Sequence, residues 1–456
     1  MRSGPTWGRM AMGSEEWPEV RLRDLVDERG ISYGIVQPGV ACDDGVPFVR
    51  VNNLQEGRIV TDEVKRVAPE IEAKYGRTRL RGGEVLVSLV GSLGQTAIVP
   101  PRLRGWNVAR AVAVVPVRRD IGADWVAYAL QSPGLQHRMR ARATTTVQAT
   151  LNLQDVRELP IPLPAKSERD KAASVLRALD DKIALNRLMN LTLESIARAV
   201  FESWFVDFDP VRGKMEGGEV GLPPDLASCI PDGFEEFRGR SVPRGWPVAP
   251  LGLHVATQRG LSYTGAGLSA EGVPMHNLNS ILEGGGHKPD GMKYYNGEFD
   301  ERREVVRGDV LVANTEQGHE RRLIGFACLV PSLHGEIGIF SHHLFRLRPL
   351  PQSPLSAAYV CYLLNSGGVH AEVSGYATGT TVNTLPKDAL ERPLVVVPPI
   401  PLIKAFTDLA VHAAALEEAL VLQSRSLAAT RDELLPRLLS GPLGPNARAF
   451  VEEAVS

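Results

Sequence analysis

Cysteine is scarce: four residues, Cys42, Cys229, Cys328 and Cys361, stand singly along 456 positions. No CxxC pair or Cys/His cluster accompanies them, which removes a zinc framework and a disulfide scaffold and points to a reducing compartment. Excess charge is lacking too. A formal net charge of −2 excludes a uniformly basic nucleic-acid binder, though not local basic faces. No apolar run is long enough to span a bilayer. The first sixteen residues, Met1 to Glu16, are polar and Gly-rich without an apolar core of signal length, so a cytoplasmic location is expected. Catalytic signatures are missing as well. There is no GxxxxGK[ST] loop, and Gly265-Ala266-Gly267 lacks the third glycine of a dinucleotide fingerprint. Asp209-Pro210 is not followed by Pro and an aromatic, as an amino-methyltransferase tetrad requires. His342-His343 is the best metal candidate, but neighbours on a strand face opposite sides, so at most one would point inward. Glu316 could imitate a catalytic carboxylate, although solvated charge explains it as well. The expectation is a non-catalytic chain with no metal.

What the chain does have is itself, twice. Trp17-Pro18 is answered by Trp246-Pro247, Gly30-Ile31-Ser32-Tyr33 by Gly260-Leu261-Ser262-Tyr263, and Gly45-Val46-Pro47 by Gly272-Val273-Pro274. Further on, Arg81-Gly82-Gly83-Glu84-Val85-Leu86-Val87 is answered by Val306-Arg307-Gly308-Asp309-Val310-Leu311-Val312. A period of about 230 residues is too long for a solenoid unit, so each copy is a whole module. Within the first, short apolar runs such as Val46 to Val51, Glu84 to Val90, Thr96 to Val99 and Ala111 to Val117, cut by Gly and Pro, read as strands. Short helices are expected from Ala123 to Gln131 and from Gly134 to Arg142. Pro160-Ile161-Pro162-Leu163-Pro164 suits an edge strand or an extended linker.

Each copy then changes period. After Ser167, the expected N-cap, no Pro or Gly occurs until Pro210. Steps of four and three link Leu179, Ile183, Asn186, Asn190, Leu193, Ala197, Val200 and Trp204, a heptad seam with two polar residues at its middle. About 38 helical residues would make a rod of roughly 57 Å. The second copy repeats this through Leu402, Phe406, Leu409, Ala413, Leu416, Leu420, Gln423, Leu427, Thr430 and Leu434. Two such seams are expected to pair with each other, antiparallel, rather than each lying only on its own module. Between the copies, Asp207 to Arg244 is rich in loop residues and too long for a simple turn.

The segment Phe201-Glu202-Ser203-Trp204-Phe205-Val206-Asp207-Phe208-Asp209-Pro210-Val211-Arg212 resembles the central region of type I restriction–modification specificity subunits. So do the Gly245-Trp246-Pro247 restart and Leu434-Leu435-Pro436-Arg437-Leu438-Leu439-Ser440-Gly441. The likeness runs from Trp17 to Gly441. It implies an α+β chain with two β-rich target-recognition domains, two long antiparallel coiled-coil helices and a pseudo-twofold internal repeat. The expected layout is a disordered 1–16, recognition domain 17–165, helix 166–206, connection 207–245, recognition domain 246–400, helix 401–440 and tail 441–456. By resemblance, such a chain reads a bipartite, asymmetric sequence in double-stranded DNA, one half per domain, while the helices fix the gap. It also holds two methyltransferase subunits and restriction motor–nuclease subunits. S-adenosylmethionine, ATP and Mg would sit on those partners only, and adenine flipping would occur there. The aromatic residues Phe201, Trp204, Phe205 and Phe208 are the expected subunit interface.

Phosphates are gripped by Arg and Lys, while base edges are read by Arg, Asn, Gln, Ser and Thr. The first copy offers Arg50, Asn52 and Asn53 after a strand. It also offers Arg77 and Arg79 on one face of an extended segment, then Arg138, Arg140, Thr145, Thr146 and Gln148. The second offers His276, Asn277, Asn279, Arg321, Arg322, Thr380, Thr381 and Asn383. Isolated arginines are usually solvated, and loop Asn and Thr often cap turns. Recurrence of the Thr/Asn loop in both copies favours DNA. The loop after the first central strand, Gly91 to Gln95, is nonetheless shorter and less charged than Asn314 to Arg322. The competing reading is a two-domain coiled-coil scaffold without DNA binding. An enzyme with its own methyl transfer is a third.

Overall fold

A computed structural model of the protein describes residues 17–40, 42–143, 149–218, 220–317, 320 and 322–441. Two compact units divide these residues, one drawn from the chain up to Ile183 and from Ser426 onward, the other from Ala184–Arg425. No described helix is long and apolar enough to cross a membrane.

The first unit is built on a four-stranded sheet ordered Ser32–Tyr33, Val112–Val115, Val85–Ser88, Thr96–Ile98, antiparallel throughout. Its central strand reads Val-Leu-Val-Ser without polar alternation because both faces are covered. Val85 and Val87 join a core with Trp125, Val126 and Leu130 of the helix Ala123–Gln131, whereas Leu86 joins Leu103, Val108 and Val112 on the other side. Continuous apolar runs of this length suit strands buried on both faces. A smaller sheet places Val46–Val49 antiparallel to Lys65–Val67 and parallel to Asn107–Val108. Pro160–Pro162 pairs with Glu19–Arg21 as a two-stranded ribbon, where a missing proline N–H costs no ladder bond.

The second unit repeats this plan. Its four-stranded sheet runs Val255–Arg259, Leu344–Pro349, Val310–Ala313, Ala327–Leu329. Val310 and Val312 face one core, Leu311 and Ala313 another. Val273–His276 again has a parallel neighbour, Ile337–Phe340. The turn before each central strand is closed by a buried carboxylate. Glu84 accepts from the amides of Arg81 and Gly82, both at 2.8 Å, and from Arg29 at 2.9 Å. Asp309 accepts from the Val306 amide at 2.9 Å and from both arms of Arg348 at 2.6 and 2.7 Å. The repeated Gly-acid-Val-Leu-Val string is therefore a turn clamp followed by a core strand.

Helices span Lys166–Phe205 and Ile400–Ser440. The first begins one residue before the expected cap, so Ser167 lies inside its first turn; the amides of Glu168 and Arg169 bond to the carbonyl of Ala165. In the first unit, Ala172, Ala173, Val175 and Leu176 share a core with Leu434, Leu435, Leu438 and Leu439, and Arg431 pairs with Asp180 at 2.7 Å. In the second, Asn186 donates to Gln423 at 2.8 Å and to Ser424 at 3.2 Å, and Phe201 meets Phe406. Each unit thus holds one end of each helix, antiparallel, against its own β-rich part. The expected antiparallel pairing is realised within each unit, and neither helix packs on its own module alone. The second seam departs from strict heptads: Leu409 and Leu416 are exposed, while Ala410 and Ala413 are buried. A straight helix of 3.6 residues per turn drifts away from a seven-residue repeat.

Candidate nucleic-acid interface

In both units the central strand runs out toward a polar loop. Val90 bridges to Thr150 in the first. In the second, Thr315–Gln317 pairs with Val382–Thr384, opposing Glu316 to Asn383. Thr378 bridges back to Thr384, so Thr380 and Thr381 protrude as an exposed turn, whereas Asn383 is buried within the ribbon. Thr145, Thr146, Gln148 and Arg321 lie outside the described residues, as do 1–16 and 442–456. Glu316 accepts from the amides of Arg322 and Ile324 at 2.9 and 3.2 Å, which makes it a loop brace.

Three expected base readers are turned inward instead. Asn53 is buried, accepts from the Arg50 amide at 2.9 Å and donates to the Val60 carbonyl at 3.0 Å. Asn277 is buried, accepts from the Asn279 amide at 3.0 Å and donates to the Gly291 carbonyl at 2.8 Å. His276 sits on a core strand, 3% exposed. Asn53 and Asn277 hold a short 3-10 turn that follows the parallel strand in each unit, with Ser280 taking the place of Asn53 by accepting from the Asn277 amide. A side chain whose polar atoms are spent on backbone has nothing left for a groove. Asn52 and Asn279 are exposed on these same turns. Arg50 is half-buried and donates to the Glu63 carbonyl at 3.0 Å.

The Arg77/Arg79 alternation also changes meaning. Ala73–Thr78 is 3-10 helix rather than extended; Arg77 donates to the Arg29 carbonyl, and Arg79 forks onto the buried Glu72. That pairing holds the Glu72 carboxyl below the usual carboxylate range, the Arg79 hydrogen bond being the main cause. Arg138 and Arg140 are exposed on the helix Pro133–Arg142. Arg322 is exposed but tied to Glu320 at 2.6 Å.

His342 and His343 occupy the turn between Ile337–Phe340 and Leu344–Pro349, not a strand, with ring centroids 3.9 Å apart. The expectation that they face opposite sides therefore fails. His343 shares a 2.9 Å hydrogen bond with Thr315. Among the described residues no group of three or more His, Cys, Asp or Glu is arranged to hold a metal ion.

His276, His287 and His334 form a row, with ring centroids 5.6 and 5.9 Å apart. Burial, reinforced by His334, pushes His276 down to about 4. Burial, then its two neighbours and Arg425, pushes His287 to about 3. An unfolded chain binds protons at these rings below about pH 6.5, and the folded one does not until about pH 4. Stability is therefore full above pH 6.5 and falls as pH drops, by on the order of 3 kcal/mol for His276 at pH 4. Glu417 opposes this. Burial, Glu194 and Glu418 raise its carboxyl to about 7, so its contribution is present at low pH and lost as pH rises. The expected result is that His276→Gln flattens the acid limb of a urea-unfolding series between pH 6.5 and 4. An unchanged limb would remove the assignment to His276.

The aromatic segment expected to meet a partner is largely the core of its own unit. Phe201, Phe205 and Phe208 are 1%, 5% and 9% exposed. Phe201 packs 5.2 Å from both Tyr359 and Phe406, and Phe208 lies 6.0 Å from both Phe234 and Trp246. Phe208 takes a left-handed backbone (φ 56°) to turn from the long helix into Asp209–Met215. Only Trp204 remains half-buried. Sequence reasoning missed the Glu84 and Asp309 clamps, although both lie inside the duplicated string.

A family profile described as the type I restriction modification DNA specificity domain matches residues 14–195. The type I restriction enzyme EcoBI specificity subunit of Escherichia coli is 31% identical over 225 residues, covering 47% of this chain and 45% of that protein. The HindI specificity subunit of Haemophilus influenzae is 42% identical over 87 residues, covering 19% of this chain and 18% of that protein. The chain thus matches less than half the length of both curated relatives. Among solved structures, the S subunit of a type I restriction–modification system from M. genitalium shares the fold, with TM-score 0.54 and 14% identity over 96% of this chain and 99% of that one.

Proposed function

We propose, starting from the likeness of this chain to type I restriction–modification specificity subunits, that it reads a two-part sequence in double-stranded DNA, one half with each β-rich unit. The observation that carries the reading is the duplicated plan: past the central strand, Val90 bridges to Thr150 in the first unit, and in the second Thr315–Gln317 pairs with Val382–Thr384 beside the exposed Thr380 and Thr381. Exposed Thr380 and Thr381 can meet base edges or phosphates, and Asn52, Asn279, Arg138 and Arg140 are further exposed polar groups. In this reading the chain is non-catalytic, works in the cytoplasm and holds no cofactor. Two methyltransferase subunits and restriction motor–nuclease subunits would supply the S-adenosylmethionine, ATP and Mg chemistry.

With Phe201, Phe205 and Phe208 turned inward, we assign partner docking to the outer side of the first long helix. Leu185, Leu188, Leu191 and Ile196 are between 49% and 64% exposed there, and a clustered apolar surface of this kind marks an interaction face. Half-buried Trp204 belongs with it as an aromatic anchor.

The test is a transplant. Replacing residues 17–164 with those of a relative of different specificity, then mapping methylated adenines in cells, should change one half of the modified sequence. Changes in both halves would undo the assignment of one half-site per unit. Loss of all methylation with an intact assembled complex would point to the scaffold alternative.

A further inference from the structure

The helix Pro133–Arg142 is fastened to its unit along one side. Leu135 and Met139 are buried, and Gln136 donates to the carbonyls of Gly94 and Leu130, both at 2.8 Å. Its other side exposes His137, Arg138 and Arg140, and Arg142 ends the helix with a long 3.4 Å bond to the Asp155 carbonyl. Among the described residues neither Arg138 nor Arg140 has an acidic or hydrogen-bonding partner. The final turn stabilises cations through the helix dipole, yet mutual repulsion leaves several guanidinium groups with nothing to gain from the fold itself.

The second unit has the same helix in the same place. Ala357–Asn365 stands for Ala123–Gln131, and Gly367–Gly375 follows Ser366 as Pro133–Arg142 follows Ser132. His370 takes the role of Gln136 by donating to the Ile324 carbonyl at 3.1 Å, and buried Val373 replaces Met139. In that register Glu372 stands where Arg138 does, Ser374 for Arg140 and Tyr376 for Arg142. Glu372 approaches Arg240 at 3.9 Å. The imbalance is general: residues 17–165 hold more Lys and Arg than Asp and Glu, and residues 246–400 hold fewer.

We propose that Pro133–Arg142 is a phosphate grip present in the amino-terminal reading unit alone, so that Arg138 and Arg140 set much of the salt dependence of DNA binding. This rests on the DNA-reading function above. Guanidinium forks suit phosphate oxygens, and each phosphate neutralised contributes about 0.9 to the slope of log affinity against log salt. Glu372 at the matching position carries the opposite charge, so this helix of the second unit offers no equivalent grip.

The experiment measures binding of the full chain to a fluorescein-labelled random-sequence duplex by anisotropy across graded NaCl. Arg138→Gln/Arg140→Gln should lower the slope by close to two, with a thermal midpoint matching the parent, since both positions are exposed and Gln suits a helix. Glu372→Gln, at the half-buried position matching Arg138, should leave the slope within about half a unit of the parent. An unaltered slope in the arginine variant, with parental binding intact, overturns this inference and leaves DNA reading standing. Absence of salt-dependent binding by the parent overturns both.

Discussion

Phe201→Ala is expected to destabilise the unit formed by Ala184–Arg425 by about 3–5 kcal/mol. The ring is 1% exposed and lies within 5.2 to 6.0 Å of Phe205, Tyr359, Tyr362 and Phe406. Truncation removes the transfer energy of a buried aromatic and leaves a cavity that rigid rings cannot refill. Aromatic pairs add roughly 0.5–1.5 kcal/mol each beyond burial. These rings belong to three segments far apart in sequence, so the loss should spread through the unit. Trp204→Ala should cost far less stability, because its ring is half-buried and meets Phe205 only by an edge at 5.9 Å. Urea unfolding of both variants decides the matter. A Phe201 loss no larger than that of Trp204 would mean the aromatic cluster is not the keystone of this unit.

The second large effect is expected at Glu84. Its carboxylate is 1% exposed and binds two amides and the guanidinium of Arg29, itself 14% exposed. Removing the carboxylate leaves the two amides without their acceptor, at about 1–3 kcal/mol each and roughly 2–6 kcal/mol together, while Arg29 keeps Asp27 at 3.1 Å. Glu84→Ala should therefore lower the stability of the first unit by that amount, and Glu84→Gln by less, since an amide oxygen still accepts. Arg29→Ala would relieve part of the Glu84→Ala penalty in a double-mutant cycle. Strict additivity of the two losses would show that the pair does not interact as the geometry indicates.

The duplication was legible because both copies obey the same local constraints. A positive-φ glycine (Gly83, Gly308), an acid to close the turn, and a strand buried on both faces leave few alternatives. The helices Ala123–Gln131 and Pro133–Arg142 were readable to within a residue for a similar reason: their apolar spacing and Ser132 cap are local. His276 was misread because its strand is buried by distant segments. Asn53 and Asn277 were misread because a capping amide and a base-reading amide are the same chemical group. Which one it becomes depends on whether a distant segment, at Val60 or Gly291, supplies a carbonyl. Phe201, Phe205 and Phe208 were misplaced on the same ground, since buried aromatics anchor cores and interfaces alike. The arginines divide likewise: Arg79 is neutralised by Glu72 across a turn, and Arg138 is left bare by the end of a helix.

Periodicity and repetition, properties of neighbours along the chain, were enough to indicate two β-rich modules and two long helices. The family likeness came from the motifs Phe201 to Arg212, Gly245-Trp246-Pro247 and Leu434 to Gly441. The tertiary structure alone decided which polar groups are available. Burial and hydrogen-bond satisfaction depend on residues brought together from tens to hundreds of positions apart, as where Asn186 meets Gln423 and Phe201 meets Phe406. No local pattern encodes those meetings.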